Sequence, residues 1–506
     1  MKLAVMGMLL AAIAVAQDWT SYGNNSLGWR YSELDQINTN TVAQLTAQWM
    51  YQTNVPGKNE TTPLVFGGMM YVTGPSNNAW ALDAVSGRPI WSYKKAPPPG
   101  VNLCCGQVNR GFAVHGSTLF KVDLQGTLVA LDAKSGVVLW ESTLADYKQG
   151  YSATAAPLIV KNLVITGMAG AEFGTRGFID AYDVGTGKRV WRVNTVAADA
   201  SWLGDSWKRG GGATWITGTY DPSLNLIYWG TGNPGPDMDG NVRLGDNLYT
   251  CSLLAIDADT GKIKWHFQFT PHDVHDWDAV GDPVLTDLVM NGHAVKAVIQ
   301  ANRNGYFYAL DRTTGKVLLS KAYTRITWAD GIDSDGRPVP IAGQEPTEEG
   351  KRTCPGMGGG HNWQATAYSP LTGLYYFTST EKCMLFYKTK QEFVEGQWYQ
   401  ASTIGRDEPG TGRIDAIDPK TGKLAWFFET VSSPTGGVLA TAGGLVFVGD
   451  AEGYLISLDA RTGKVLWRFQ TGATIIAPPI SYALNGRQYI AVAAGQAMMT
   501  FSLPRQ

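Results

Sequence analysis

Five cysteines are spread over 506 residues, and two are neighbours: Cys104 and Cys105, in Leu103-Cys104-Cys105-Gly106-Gln107-Val108-Asn109-Arg110-Gly111. Adjacent cysteines can bond to each other only by closing an eight-membered ring; the alternatives are two separate thiols or bonds to other partners. In an exported protein with few cysteines the vicinal bridge is the expected outcome, and so uncommon a linkage points to a functional site. Cys354 and Cys383 form a plausible second bridge across an interval of 29 residues, which leaves Cys251 as a buried thiol. No Cys-x-x-Cys-His occurs, so no covalent haem is expected. A second cluster, Pro271-His272-Asp273-Val274-His275-Asp276-Trp277-Asp278, mixes carboxylates with imidazoles. His272 and His275 could mimic a zinc pair, but no convincing third ligand accompanies them. Asp276 and Asp278 are two residues apart, so an extended backbone would point both to one side.

Such groups need elements to hold them, and the chain supplies those by repetition. A phrase of small apolar residue, Asp, two variable residues, Thr or Ser, Gly, then Trp four residues on runs from Leu82-Asp83 to Trp91. It recurs from Asp132 to Trp140, Asp183 to Trp191, Asp257 to Trp265, Asp418 to Trp426 and Asp459 to Trp467. Asp311 to Gly315 keeps the turn but ends in Leu319, and Tyr368 to Gly373 is a degenerate copy, making eight phrases. Trp-to-Trp intervals of 49, 51 and 41 residues suit one four-stranded propeller blade each. Asp caps a tight turn, Gly supplies positive φ, and the next strand delivers Trp between neighbouring sheets. The reading is an all-β, eight-bladed β-propeller with tryptophan-docking repeats, a single domain over residues 17–506, with seven blades as the alternative. The first blade should hold Trp49 and close the ring with the last strand. The longer gap from Trp191 to Trp265 implies inserted loops, and insertions on one face of a ring commonly build a site.

Composition narrows the class. With 41 Lys+Arg against 43 Asp+Glu, a net charge of −2 and only 17% charged residues, the chain is neither a polyelectrolyte nor a nucleic-acid binder. Its 60 glycines, 18 tryptophans and 22 tyrosines fit a turn-dense β protein. Residues 3–16 form an apolar run too short to span a bilayer, ending in Ala14-Val15-Ala16, an A-x-A cleavage signature. Residues 1–16 are therefore read as a secretory signal peptide. No later stretch suits a membrane span, and the expected location is the bacterial periplasm.

These motifs together make the chain resemble, over essentially its whole mature length, the pyrroloquinoline-quinone (PQQ)-dependent alcohol dehydrogenases of the methanol/ethanol dehydrogenase family. In that family a vicinal disulfide covers one face of the flat quinone and a Trp stacks on the other. Cys104-Cys105 matches the first, and Trp215, in Gly210-Gly211-Gly212-Ala213-Thr214-Trp215, matches the second. Trp215 lies outside the turn phrase, unlike the blade-packing tryptophans. The resemblance also implies cofactor contacts at Glu60, Arg110, Thr154, Gly170, Ala171, Arg303, Asn362 and Trp363. An Arg is the natural partner for a cofactor with three carboxylates. Ala169 and Ala213 stand where relatives often offer hydroxyls, which puts those two hydrogen bonds in doubt.

The same resemblance implies a metal bound by Glu172, Asn233 and Asp276, hard oxygen donors suited to a hard cation such as Ca²⁺. Asp278 resembles the extra carboxylate of the lanthanide-using branch, where one more negative charge favours a trivalent ion; a lanthanide is expected, with calcium as the alternative. The implied reaction is oxidation of an alcohol to an aldehyde, with hydride passing to the metal-polarised quinone. Asp276 is the implied general base, and Arg303 steadies developing charge. With no haem in the chain, a separate soluble cytochrome c is the implied electron acceptor. Two rivals stand beside this reading: a quinoprotein acting on sugars or polyols, and a non-enzymatic propeller scaffold like the outer-membrane assembly lipoprotein that shares the repeat. The particular alcohol, the cytochrome and the oligomeric state, with a homodimer open, are not legible.

Overall fold

A computed structural model describes residues 17–403 and 405–505. The proposed signal peptide, residues 1–16, lies outside the described residues. Eight four-stranded antiparallel blades follow one another: residues 64–93, 113–143, 158–194, 219–268, 284–322, 367–430, 438–470 and, for blade 8, 480–502 together with Thr46–Gln52. First strands of neighbouring blades touch, as Ala113–His115 does Leu158–Val160, which sets them around a common axis. Tyr31–Ser32 adds a fifth strand to the seventh blade, parallel to Val438–Thr441, and short 3-10 turns punctuate the connections. Two small sheets, Ala329–Ile332 with Pro338–Pro340 and Lys351–Thr353 with Met384–Phe386 and Arg406–Asp407, sit outside the ring.

The turn phrase works as a dock. Asp83 Oδ1 accepts the Ser86 N–H at 2.8 Å and the Val85 N–H at 3.2 Å, and Gly87 adopts φ +72°. The turn is not filled by its own Trp but by that of the preceding blade. Trp49 donates its indole N–H to Ala84 O (3.3 Å) and lies where a Gly87 Cβ would fall, 2.5 Å from its ring. Trp91 does the same to Ala133 O (2.9 Å), Trp140 to Val184 O (3.2 Å), Trp191 to Ala258 O (3.1 Å), Trp265 to Arg312 O (3.2 Å) and Trp426 to Ala460 O (3.0 Å). Any side chain on these glycines would evict an indole, so the phrase needs glycine for space as well as for φ.

The ring closes as expected: Thr46–Gln52 pairs with Ala497–Ser502. That closure corrects the phrase count. Tyr368 to Gly373 joins the first two strands of blade 6, the blade whose outer turn is already Asp418 to Gly422. Blade 8 has no phrase because its third and fourth strands come from opposite ends of the chain. Seven outer turns and one closure make eight blades.

Because strands in a blade are antiparallel, the outer turns all open on one face. The links between blades, and the turns between second and third strands, open on the other. Every residue of chemical interest lies in this second set.

Candidate active site

Glu172 is carried by a 3-10 turn, Ala171–Phe173, between Gly170 (φ +116°) and Gly174 (φ +64°), joining the second and third strands of blade 3. Arg303 occupies the corresponding turn of blade 5, where Asn302 O accepts the Gly305 N–H (3.0 Å) and Asn302 Oδ1 accepts the Asn304 N–H (3.1 Å). Glycine is required opposite it: a Cβ on Gly359 (φ +75°) would come within 2.7 Å of Arg303 Cα. Cys104 and Cys105, Trp215 and Asp276 come from links between consecutive blades.

These loops enclose one cavity of about 420 Å³, lined by Glu60, Cys104, Cys105, Arg110, Thr154, Gly170, Glu172, Trp215, Asp276, Asp278, Arg303, Asn362 and Trp363, together with Ala169. Ala171 and Asn233 are not in its wall. The 3-10 turn presents Glu172 to the cavity and buries Ala171 in the core, while Asn233 lies just behind, donating its backbone N–H to Asp278 Oδ1 at 2.7 Å. Ala213 is likewise core rather than lining. Both expected disulfides, Cys104–Cys105 and Cys354–Cys383, are formed, and Cys251 is a buried free thiol. The vicinal pair is solvent-exposed at the rim.

One end of the cavity is paired. Arg110 Nη2 lies 2.6 Å from Glu60 Oε2, and Nη1 donates to Thr154 Oγ1 at 2.7 Å. The guanidinium carbon sits 4.8 Å from the Trp215 ring centre, a cation–π contact. Burial pushes the Glu60 carboxyl up, with Arg110 opposing.

The other end is crowded with carboxylates. Arg303 Nη1 donates to Asp278 Oδ2 at 2.8 Å, and Nη2 reaches Asp276 Oδ2 at 3.3 Å and Met357 O at 2.6 Å. Trp215 Nε1 also donates to Asp278 Oδ2, at 3.1 Å. The two aspartates do not share a side by strand alternation. Their segment is irregular, Asp276 has φ +59°, and the Asp273 carboxylate holds the bend by accepting the Trp277 N–H at 3.1 Å. Arg303 is what brings both carboxylates to one place. Burial drives the Glu172 carboxyl up to about 7, with Asp278 adding to the rise and Arg303 opposing it. Asp276 is pushed well above the carboxylate range by burial, with Asp278, Asp237 and Glu172 adding to it. Burial works against the Arg303 charge, but Asp276 and Asp278 outweigh it and hold the group cationic.

The two histidines do not form a metal pair: His272 Nδ1 is 2.9 Å from Gly245 O, His275 Nε2 is 3.1 Å from Gln344 O, and His275 stacks on Trp277. Burial lowers His275 to about 4. Residues that sequence reasoning missed are Lys58, Ser152, Gln364 and Thr435 in the wall and Asp237 behind it. Asp237 could have been flagged as the first acid after Asn233, in the inserted loop that the long Trp interval announces. The cavity suits a ligand that brings hydrogen-bond acceptors to its two arginines and a donor to Asn362. Buried Nε atoms of Arg110 and Arg303 and Oδ1 of Asn362 have no partner in the protein, and a disulfide and an indole contribute to its walls.

The profile of the glucose/ethanol/alcohol dehydrogenase β-propeller family matches residues 19–323, and that of the outer-membrane assembly factor BamB matches residues 410–503. The quinoprotein alcohol dehydrogenase PedH of Pseudomonas putida is 38% identical over 505 residues, covering 92% of this chain and 84% of that protein. A lanthanide-dependent methanol dehydrogenase of Methylorubrum extorquens is 37% identical, covering 92% and 85%. The structure of a europium-containing methanol dehydrogenase superposes with a TM-score of 0.90 at 32% identity, covering 96% of this chain and 98% of that one. BamB of Moraxella catarrhalis, at 16% identity and a TM-score of 0.50, shares the fold alone.

Proposed function

The chain belongs to the PQQ-dependent alcohol dehydrogenases, and from that membership we propose a specific reading of its site: an exported, periplasmic enzyme that oxidises an alcohol to its aldehyde beside a lanthanide ion and yields electrons to a separate cytochrome c. The observation that carries this reading is the meeting, in one cavity, of the cysteine pair, Trp215 and the Asp276–Arg303–Asp278 cluster.

When bound, the quinone supplies a two-electron acceptor for hydride and the metal a Lewis acid that polarises it. The chain's part is to bind, orient and move one proton. Arg110, fixed by Glu60 and Thr154, offers Nε to a ligand carboxylate. Cys104-Cys105 and Trp215 would flank the flat ring system. Glu172, Asn233, Asp276 and Asp278 would hold the ion. Among the described residues no three His, Cys, Asp or Glu side chains suffice for a metal by themselves; the Asn233 amide oxygen would add a further hard donor. All are hard donors, and three carboxylates suit a trivalent ion better than Ca²⁺. Asp276 accepts the hydroxyl proton: it stands in the cavity wall with its carboxylate held by Arg303. Arg303 keeps Asp276 in register with Asp278 and stays charged to stabilise negative charge arising beside it. No helix among the described residues is long and apolar enough to cross a membrane.

Reconstitution with PQQ and either La³⁺ or Ca²⁺, with an artificial dye reporting turnover on a panel of alcohols, sugars and polyols, tests the reading. La³⁺-supported oxidation of simple alcohols is expected, and turnover confined to sugars or polyols would overturn the substrate class. Asp278→Ala should cut La³⁺-supported kcat by about 10²-fold or more. Full La³⁺ activity in that variant refutes the lanthanide assignment.

A further inference from the structure

Asp237 lies in the inserted connection of blade 4, four residues past Asn233, and has no exposed surface. Neither of its carboxylate oxygens has a hydrogen-bond partner of ordinary geometry among the described residues, and the Asn233 side chain is the polar group facing it. The nearest cation is engaged elsewhere. Arg243 gives its guanidinium to Pro236 O (2.9 Å), to the backbone carbonyls of Asp237 (3.0 Å) and Asp273 (2.6 Å), and to Asn247 Oδ1 (2.7 Å). An isolated buried carboxylate costs several kcal/mol, and a fold keeps one where something beyond the protein completes it. What Asp237 faces is specific: Glu172 is its strongest charged neighbour, the Asn233 amide lies alongside, and Asp278 follows. The Asn233 Nδ2 atom has only a 3.3 Å contact to Pro234 O to fix which way the amide points.

We propose that Asp237 is a positioning carboxylate behind the metal pocket: it takes an N–H of Asn233, turning Asn233 Oδ1 towards the ion, and its charge biases the pocket towards a trivalent cation. This rests on the lanthanide reading above and adds to it a residue outside the cavity wall. An amide ligand has two ends of nearly equal shape, so a partner on the nitrogen end decides whether oxygen faces the metal. Charge gives the second part. Glu172, Asp237, Asp273, Asp276 and Asp278, ionised, set five negative charges against the two positive charges of Arg303 and Arg243. A trivalent ion neutralises the remainder and a divalent ion does not. Without Asp237 that distinction weakens, since a divalent ion then suffices.

The test uses full-length, PQQ-loaded protein and Tb³⁺, whose luminescence is excited through nearby tryptophans, with Ca²⁺ as competitor. Asp237→Asn keeps the shape of the side chain and removes the charge. Its preference for Tb³⁺ over Ca²⁺ should fall by about 10-fold or more, with PQQ absorbance retained. An unchanged preference overturns the role of Asp237 and leaves the lanthanide reading standing. Absence of Tb³⁺ binding in the unaltered protein overturns the lanthanide reading itself, and with it this one. Should Asp237→Asn not fold, Asp237→Leu fills the same space without a polar group and must show the same loss of preference. Failure of both to fold even with Tb³⁺ and PQQ present would make the carboxylate structural and end the proposal.

Discussion

The two ends of the cavity both hold charge away from bulk water and deal with it in different ways. At one end Glu60, Arg110 and Thr154 satisfy each other within 2.7 Å. At the other, Glu172, Asp237, Asp276 and Asp278 outnumber the cations Arg303 and Arg243 beside them, and burial pushes Glu172, Asp237 and Asp276 above the usual carboxylate range. A one-to-one ion pair leaves little net charge for a ligand to neutralise, and it recognises shape and hydrogen-bond direction. An unbalanced carboxylate cluster is unfavourable until a cation arrives, so it stores its selectivity in the deficit. The contrast teaches that the unpaired end, not the well-bonded one, is where chemistry is set up.

Asp276→Asn should break that contrast hardest. It removes the proton acceptor while keeping shape, so kcat should drop by about 10³-fold. PQQ retention should be nearly unchanged, because the paired end is untouched. Undiminished turnover by a PQQ-loaded variant would remove Asp276 from the chemistry. Arg110→Lys probes the opposite end. It keeps the charge and loses the planar fork, so PQQ affinity, read by absorbance or quenching of tryptophan fluorescence, should weaken by about 10-fold while the saturated kcat is largely kept. If Arg110→Lys lowered the saturated kcat and Asp276→Asn weakened PQQ binding, the roles of the two ends would be reversed.

How much of this was legible follows the two faces of the ring. The repeated face could be read because each docking turn states its own requirement locally: an Asp that caps, a Gly that leaves room, and an indole one blade earlier. Even there the count came out at eight partly by accident, since Tyr368 to Gly373 is an inner turn and the missing eighth outer turn is replaced by pairing the two chain ends. The site face has no period. Cys104-Cys105 and Trp215 stood out as departures from the repeat, but the shared direction of Asp276 and Asp278 depends on Arg303, 25 residues beyond Asp278. Ala171 faces the core because a 3-10 turn rotates Glu172 outward, a rotation no pattern of two or 3.6 residues anticipates. Asp237 could be named as the first acid after Asn233 but not ranked: its importance lies in a buried carboxylate without a partner of ordinary geometry, and that can be seen only once every neighbour is placed.

The smallest expected effect separates the two ends most cleanly. In the metal-free chain Glu172 titrates near 7 against an ordinary 4.5, chiefly through burial. A raised native pKa means that the native state keeps a proton which the unfolded chain has already released. The stability it contributes is whole below about pH 4.5 and is lost as pH rises through about 7. The full shift corresponds to about 3 kcal/mol, but Glu172 is only half-buried in the cavity wall, and solvent screening brings the expected effect to about 1 kcal/mol. Melting temperature measured in chelator should therefore fall from about pH 5 to about pH 8. A bound cation pairs the carboxylate and flattens that slope, and Glu172→Gln should make it shallower without metal, leaving the part that Asp276 and Asp237 contribute. If chelated and metal-loaded protein gave parallel slopes, the crowded end would gain nothing from a cation, and its excess of carboxylates would need another explanation.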